Sequence, residues 1–297
     1  DLIVDWINAG NAPVMLRSAG SVIDGLKEDN KPNITASSLS IQTETGSIGA
    51  AQLGDIDRSI RLELSNSSRL DIDAGGSVYL RELTGDLGLG IVTVRGDQLI
   101  LTVPGNIFTT LTKEDILAGT ANIKAKEVFL ASLHGSIGED TNPNPTYFDE
   151  DYVGWITTSS LGEYELNAWA EGDIYIREIS GSLIVGEVES SSGNVSISAY
   201  MDVKSYNEED SDRVNVIGKD IYIETTNGII SLSVTANGDV TFNSSGSITN
   251  IRQEGIKNIL IVGNNITLIS RNGSVGEEDS YIEIDTADTG ILNVQAY

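Results

Sequence analysis

Ser38–Gly49 reads SLSIQTETGSIG, Glu127–Gly138 reads EVFLASLHGSIG, and Asn265–Gly276 reads NITLISRNGSVG. A second phrase falls between these copies. Gly75–Gly90 reads GGSVYLRELTGDLGLG and Glu171–Gly186 reads EGDIYIREISGSLIVG. Arg17–Asp24 (RSAGSVID) is a degenerate copy of the first phrase, and Ile291–Tyr297 (ILNVQAY) lines up with Tyr164–Trp169 (YELNAW). Two phrases recurring in a fixed order make an array, and an array of this period implies stacked units that bury themselves against their neighbours.

Within each phrase the apolar residues alternate. Val78-Tyr79-Leu80, Ile174-Tyr175-Ile176 and Ile221-Tyr222-Ile223 place β-branched or aliphatic residues two apart around a tyrosine. That is the period of a strand. Val78, Leu80, Ile174, Ile176, Ile221 and Ile223 are therefore expected inside, with Tyr79, Tyr175 and Tyr222 on the outer face. Gly-x-apolar triplets and Asn-Gly pairs punctuate the strands. Thr112–Ala118 (TKEDILA) is the one short helix candidate, with a threonine cap before acidic first-turn residues.

These features predict an all-β chain, a right-handed parallel β-helix or β-solenoid over residues 1–297. The long repeats run at approximately 34–120, 121–264 and 265–297, the last incomplete. The second carries extra rungs around Val195–Thr249. Turns of ~20–25 residues stacked at ~4.8 Å give about a dozen coils and a rod ~50–65 Å long. A face-packed antiparallel sandwich is the rival architecture. The chain starts at Asp1 and stops inside a recognisable phrase, so it reads as a segment of a longer protein or as a filament subunit.

Composition narrows the function. With 44 acidic and 18 basic residues the net charge is −26, which disfavours nucleic acid and anionic membranes as partners. There is no cysteine, and no apolar run approaches the ~18 residues of a membrane span.

The quoted phrases, together with GEVESSSGNVSISA and GSVGEEDSYIEIDTADTGILNVQA, resemble the repeats of filamentous-haemagglutinin-like giant secreted bacterial exoproteins and adhesins. The resemblance runs from about Ile34 to Tyr297. It implies a right-handed parallel β-helix acting as a stalk or adhesive fibre at the cell surface, and it brings no catalytic residues. Two departures stand out: an insertion at Asn142–Trp155 and an acidic loop at Tyr206–Arg213.

Four constellations are the candidates for chemistry. Glu139-Asp140 and Glu277-Glu278-Asp279 follow GSIG and GSVG, and such oxygen-rich loops are candidates for Ca²⁺, although no EF-hand or nonapeptide spacing is present. Tyr152 and Trp155, with Tyr147, Phe148 and Trp169 nearby, make a candidate sugar-stacking patch, or else a cover for a sheet edge. Asp71 and Asp73 share a strand face and are the carboxylate pair that a glycan-cleaving enzyme would need, but the matching stretch Glu165-Leu166-Asn167 does not keep the pair. His134, the single histidine, stands where other copies have Thr45 and Asn272, which makes it a turn residue. Asn33, Asn66, Asn194, Asn243, Asn265 and Asn272 begin Asn-x-Ser/Thr sequons.

The reading is a non-catalytic structural or adhesive segment of an extracellular surface or fibre-forming protein. It requires no cofactor. Its partners are further copies of itself or flanking repeats stacked end to end, and surface glycans. The alternatives are a carbohydrate-active β-helix enzyme and a sugar-binding module.

Overall fold

A computed structural model describes residues 1–26, 30–51, 57–66, 68–139, 154–159, 165–205, 214–250, 260–278 and 281–297. It is a parallel β-solenoid. The chain alternates between two long sheets, each with a central path of twelve strands. The first sheet runs from Pro13–Ser18 to Leu292–Ala296, and the second from Ile7–Asn8 to Glu283–Thr286. One strand on each sheet makes one coil, so the path contains twelve coils. Every recorded strand pairing is parallel.

The register explains the alternating sequence. In the second sheet Leu80 pairs with Leu101, which pairs with Leu130. In the first, Ile176, Ile197, Ile223, Phe242 and Leu268 stand in one column. All of these are buried, and one continuous apolar cluster runs from Val4 to Leu268. Val78, Leu80, Ile174, Ile176, Ile221 and Ile223 all point inward, each 2% exposed or less. Such a column buries each side chain against its homologues above and below, which is how a thin rod keeps a core.

The repeated phrases do not stack on one another. Ser38–Thr43 and Ile266–Ser270 lie in the first sheet, whereas Glu127–Ser132 lies in the second. Likewise Val78–Glu82 is in the second sheet and Ile174–Glu178 in the first. The unit that the sequence repeats is thus a strand and its corner, half a coil, and it fits either half.

The helix is Lys113–Leu117. Thr112 caps it, with its Oγ1 accepting from the Asp115 N–H while the Asp115 carboxylate accepts from the Thr112 N–H.

Candidate functional site

The most organised polar structure is a set of side-chain ladders at the two corners. Where the chain passes from the second sheet to the first, one polar residue per coil accepts a hydrogen bond from the backbone of the next. The Asn106 N–H donates to Asp86 Oδ1 (2.7 Å) and the Ser136 N–H to Asn106 Oδ1 (2.9 Å). The Asp173 N–H then donates to Ser136 Oγ (3.0 Å), and the Asn194 N–H to Asp173 Oδ1 (2.6 Å). The series continues through Asp220, Asp239 and Asn265 to the Ile291 N–H. The opposite corner carries a shorter version, in which Asp1, Ser21, Ser47 and Ser77 each accept from the coil above. Each acceptor satisfies a corner N–H that the sheet ladders do not reach. This is the physical content of the Gly-x-apolar triplet: x is Ser, Asp or Asn because it must supply an oxygen.

The glycine before x has its own reason. A Cβ on Gly46 would lie 2.2 Å from Ser21 N, and one on Gly135 would lie 2.6 Å from the Gly105 carbonyl carbon. At these corners successive coils touch backbone to backbone, so only glycine fits there, whereas Lys219 and Asn264 take the same place before Asp220 and Asn265. The second glycine of GSIG and GSVG is different. Gly49, Gly138 and Gly276 have φ of 68°, 76° and 75°, a left-handed conformation that favours glycine. Hydroxyls at the strand ends finish the corner: Ser132 Oγ donates to Gly105 O (2.7 Å) and Ser190 Oγ to Gly172 O (2.7 Å).

A third device is internal asparagine. Asn122 Nδ2 donates to Leu89 O (2.9 Å) and Gly90 O (3.1 Å), while its Oδ1 accepts from the Thr157 N–H (3.1 Å). Asn215 repeats the pattern, donating to Gly186 O (3.1 Å) and accepting from the Ser233 N–H (3.1 Å). Asn33 donates to Val4 O and accepts from the Arg61 N–H, both at 2.8 Å. All three are buried, at 6% exposure or less. The sequence signal is there in Asn33-Ile34, Asn122-Ile123 and Asn215-Val216, each an asparagine opening a short strand. In sequence alone these asparagines look like ordinary polar residues.

Buried carboxylates close a further turn. Glu82 accepts from the Leu64 N–H (3.2 Å) and the Thr84 N–H (3.3 Å). Glu178, in the matching phrase, accepts from the Ser180 N–H (2.9 Å), the Gly181 N–H (3.0 Å) and Thr158 Oγ1 (2.9 Å). Burial raises the Glu82 carboxyl to about 7, against the lowering effect of its backbone donors.

The residues singled out from sequence are spread over the rod. Glu139, Glu277 and Glu278 are exposed. Glu139 follows Gly138 at the corner leading into the first sheet, and Glu277 follows Gly276 at the opposite corner, so these two glutamates do not converge. Asp140, Asp279 and Tyr152 lie outside the described residues, as do Tyr147, Phe148 and the loop at 206–213. Among the described residues no cluster of three His, Cys, Asp or Glu could hold a metal ion.

Trp155 is buried rather than exposed. It is 3% exposed and lies against Tyr175, with ring centroids 5.5 Å apart at 51°. Tyr175, expected on the outer face, does point outward but is buried where it packs against this indole, at 8% exposure. Asp71 and Asp73 are held by arginines. Asp71 Oδ2 meets Arg69 Nε at 2.8 Å and its Oδ1 accepts from the Ile91 N–H at 2.9 Å, while Asp73 Oδ1 meets Arg95 Nη2 at 2.5 Å. His134 is exposed and 3.1 Å from Glu171. Asn33 and Asn243 are buried, so those two sequons cannot carry a glycan in the folded chain.

No family model matches this chain, and neither the curated proteins nor the solved structures contain a match. Among the described residues no helix is long and apolar enough to cross a membrane.

Proposed function

We propose that the chain is a rigid, non-catalytic structural or adhesive segment of an extracellular surface or fibre-forming protein. The observation that carries this reading is the unbroken stack of twelve parallel coils on one apolar core, bound at its corners by coil-to-coil ladders. Such a stack resists bending because neighbouring coils are tied along both sheets and at the corners together. At ~4.8 Å per coil its axial length is about 58 Å. The resemblance to filamentous-haemagglutinin-like exoproteins supports the same reading.

The partners proposed are axial ones, flanking coils or a second copy. Within the stack each coil pairs along both sheets with the coils on either side, as Ile223 does with Ile197 and Phe242, and an axial neighbour would add to the stack by the same pairing. The high negative charge opposes side-by-side association while leaving this axial contact available.

Immunogold electron microscopy of the source cells, with antibody raised to the chain, tests the proposal. Labelled surface fibres or stalks are expected. Label confined to the cell interior would refute it. So would release of oligosaccharides from a polysaccharide panel by the purified chain, abolished by Asp71→Asn and Asp73→Asn.

A further inference from the structure

A cavity of about 510 Å³ opens on the outer face of the second sheet, lined by Trp6, Asn8, Leu26, Lys31, Pro32, Thr35 and Glu63. Its size falls among those of small-ligand sites. Trp6, Leu26 and Pro32 supply the apolar part of the lining, and Trp6 is 67% exposed.

The polar part follows from strand register. Asn8 pairs with Thr35, and Thr35 with Glu63, so an amide, a hydroxyl and a carboxylate form one outward column. Their spacing is that of adjacent strands, ~4.8 Å. Thr35 Oγ1 donates to Glu63 Oε2 (3.3 Å), and Asn8 Oδ1 accepts from the Gly10 N–H (3.0 Å). These bonds orient the groups and leave the Asn8 amide N–H donors and Glu63 Oε1 for a ligand.

The lining is fixed from behind. Arg61, fully buried, meets Asp24 Oδ1 (2.9 Å) and Oδ2 (3.0 Å), and its Nε donates to Lys31 O (3.0 Å). Asn33 Nδ2 donates to the same Asp24 Oδ1 (2.6 Å). This network ties Asp24, Lys31 and Asn33 to the sheet, and so sets the neighbouring Leu26 and Pro32. A preorganised wall lowers the ordering cost of binding.

We propose that this groove binds a neutral saccharide. One sugar ring stacks its C–H face on the Trp6 indole, and its hydroxyls exchange hydrogen bonds with Asn8, Thr35 and Glu63. An indole beside closely spaced donors and acceptors matches a molecule that is apolar on its ring faces and polar around its edge. Charge selects the neutral class. The lining carries one charge of each sign, Lys31 and Glu63, and the chain as a whole, with a net charge of −26, repels anionic glycans. The proposal is independent of the rod reading, because every group it uses lies outside the core and corner ladders.

The test is saturation-transfer-difference NMR of the intact chain with cellobiose, lactose, chitobiose and mannobiose, with sialyllactose as the anionic comparison. At least one neutral disaccharide is expected to bind with a Kd of about 1 mM or tighter. Trp6→Ala and Glu63→Gln, both at exposed positions, should each weaken that binding at least tenfold while leaving thermal unfolding unchanged. Phe129→Ala, an exposed aromatic elsewhere on the same sheet, should leave binding intact. Failure of all four neutral sugars would overturn the proposal. So would preference for sialyllactose, or binding that survives both groove substitutions.

Discussion

Glu82 makes the rod's stability depend on pH in a direction the structure fixes. Its carboxyl is buried, accepts from the Leu64 and Thr84 N–H groups, and has its pKa raised from 4.5 to about 7, chiefly by burial. In the unfolded chain the same group ionises near its ordinary value. Below both values the side chain is protonated in either state and its titration costs nothing. As pH rises, the unfolded chain releases the proton first, so the folded state loses stability until its own carboxyl ionises near 7. Above that the penalty is constant. Between about pH 5 and pH 8 the loss comes to about 2–3 kcal/mol. Glu82→Gln keeps a carbonyl acceptor for both N–H groups and removes the titration. Urea unfolding of both chains at a series of pH values measures the effect, and the rod's general charge repulsion cancels in the difference. The substituted chain should gain on the wild type by about 2–3 kcal/mol across this range. A difference that stays flat from pH 5 to 8 would refute the reasoning.

The corners yield three further expectations. Gly135→Ala places a Cβ 2.6 Å from the Gly105 carbonyl carbon and 2.7 Å from Asn106 N, and should destabilise the rod by at least about 1–3 kcal/mol in denaturant unfolding. Asp220→Ala removes the acceptor of the Asp239 N–H (2.8 Å). About 1–3 kcal/mol should be lost, and Asp220→Asn, which keeps an oxygen there, should restore most of it. Trp155→Ala removes the buried ring packed against Tyr175 and should cost roughly 3 kcal/mol in thermal unfolding. Protection of the tyrosine from a water-soluble nitrating reagent should fall in parallel.

Much of this architecture is legible in the sequence because a solenoid is specified locally. Ile174-Tyr175-Ile176 announces its inward and outward faces by alternation alone, and the structure buries both isoleucines completely. Thr112 announces its helix through the acidic residues that follow. Other features depend on what lies one coil away. Asn122 reads as an ordinary polar residue, and only the Leu89 and Gly90 carbonyls and the Thr157 N–H give it a partner on each side. Glu82 reads as a surface charge after Arg81, yet the strand ends there and its side chain turns back onto the corner. Trp155 looks like a surface aromatic because its packing partner, Tyr175, is twenty positions away in sequence. The groove at Trp6 was not legible for the same reason. Its polar column is drawn from three successive coils.

The repeat itself also hides something. Copies of one phrase invite the assumption that equivalent residues stack, and on that assumption the acids after GSIG and GSVG would line up along one edge. The path of the chain prevents it. Seven half-coils separate the strand at Ser38–Thr43 from the one at Glu127–Ser132, and eleven separate the latter from Ile266–Ser270. Both intervals are odd, so each copy lands on the sheet opposite its predecessor. Both corners accept the phrase because it meets the same conditions in each: Gly46 and Gly135 have no room for a Cβ, Ser47 and Ser136 each supply an oxygen to the next coil's N–H, and Gly49 and Gly138 take a positive φ. Residues attached to the phrase, such as Glu139 and Glu277, are therefore carried to opposite edges of the rod. Homologous position along the chain and common location in space separate whenever the repeat is half a coil. A site built by repetition along one edge has to use residues an even number of half-coils apart, as Asn8, Thr35 and Glu63 are.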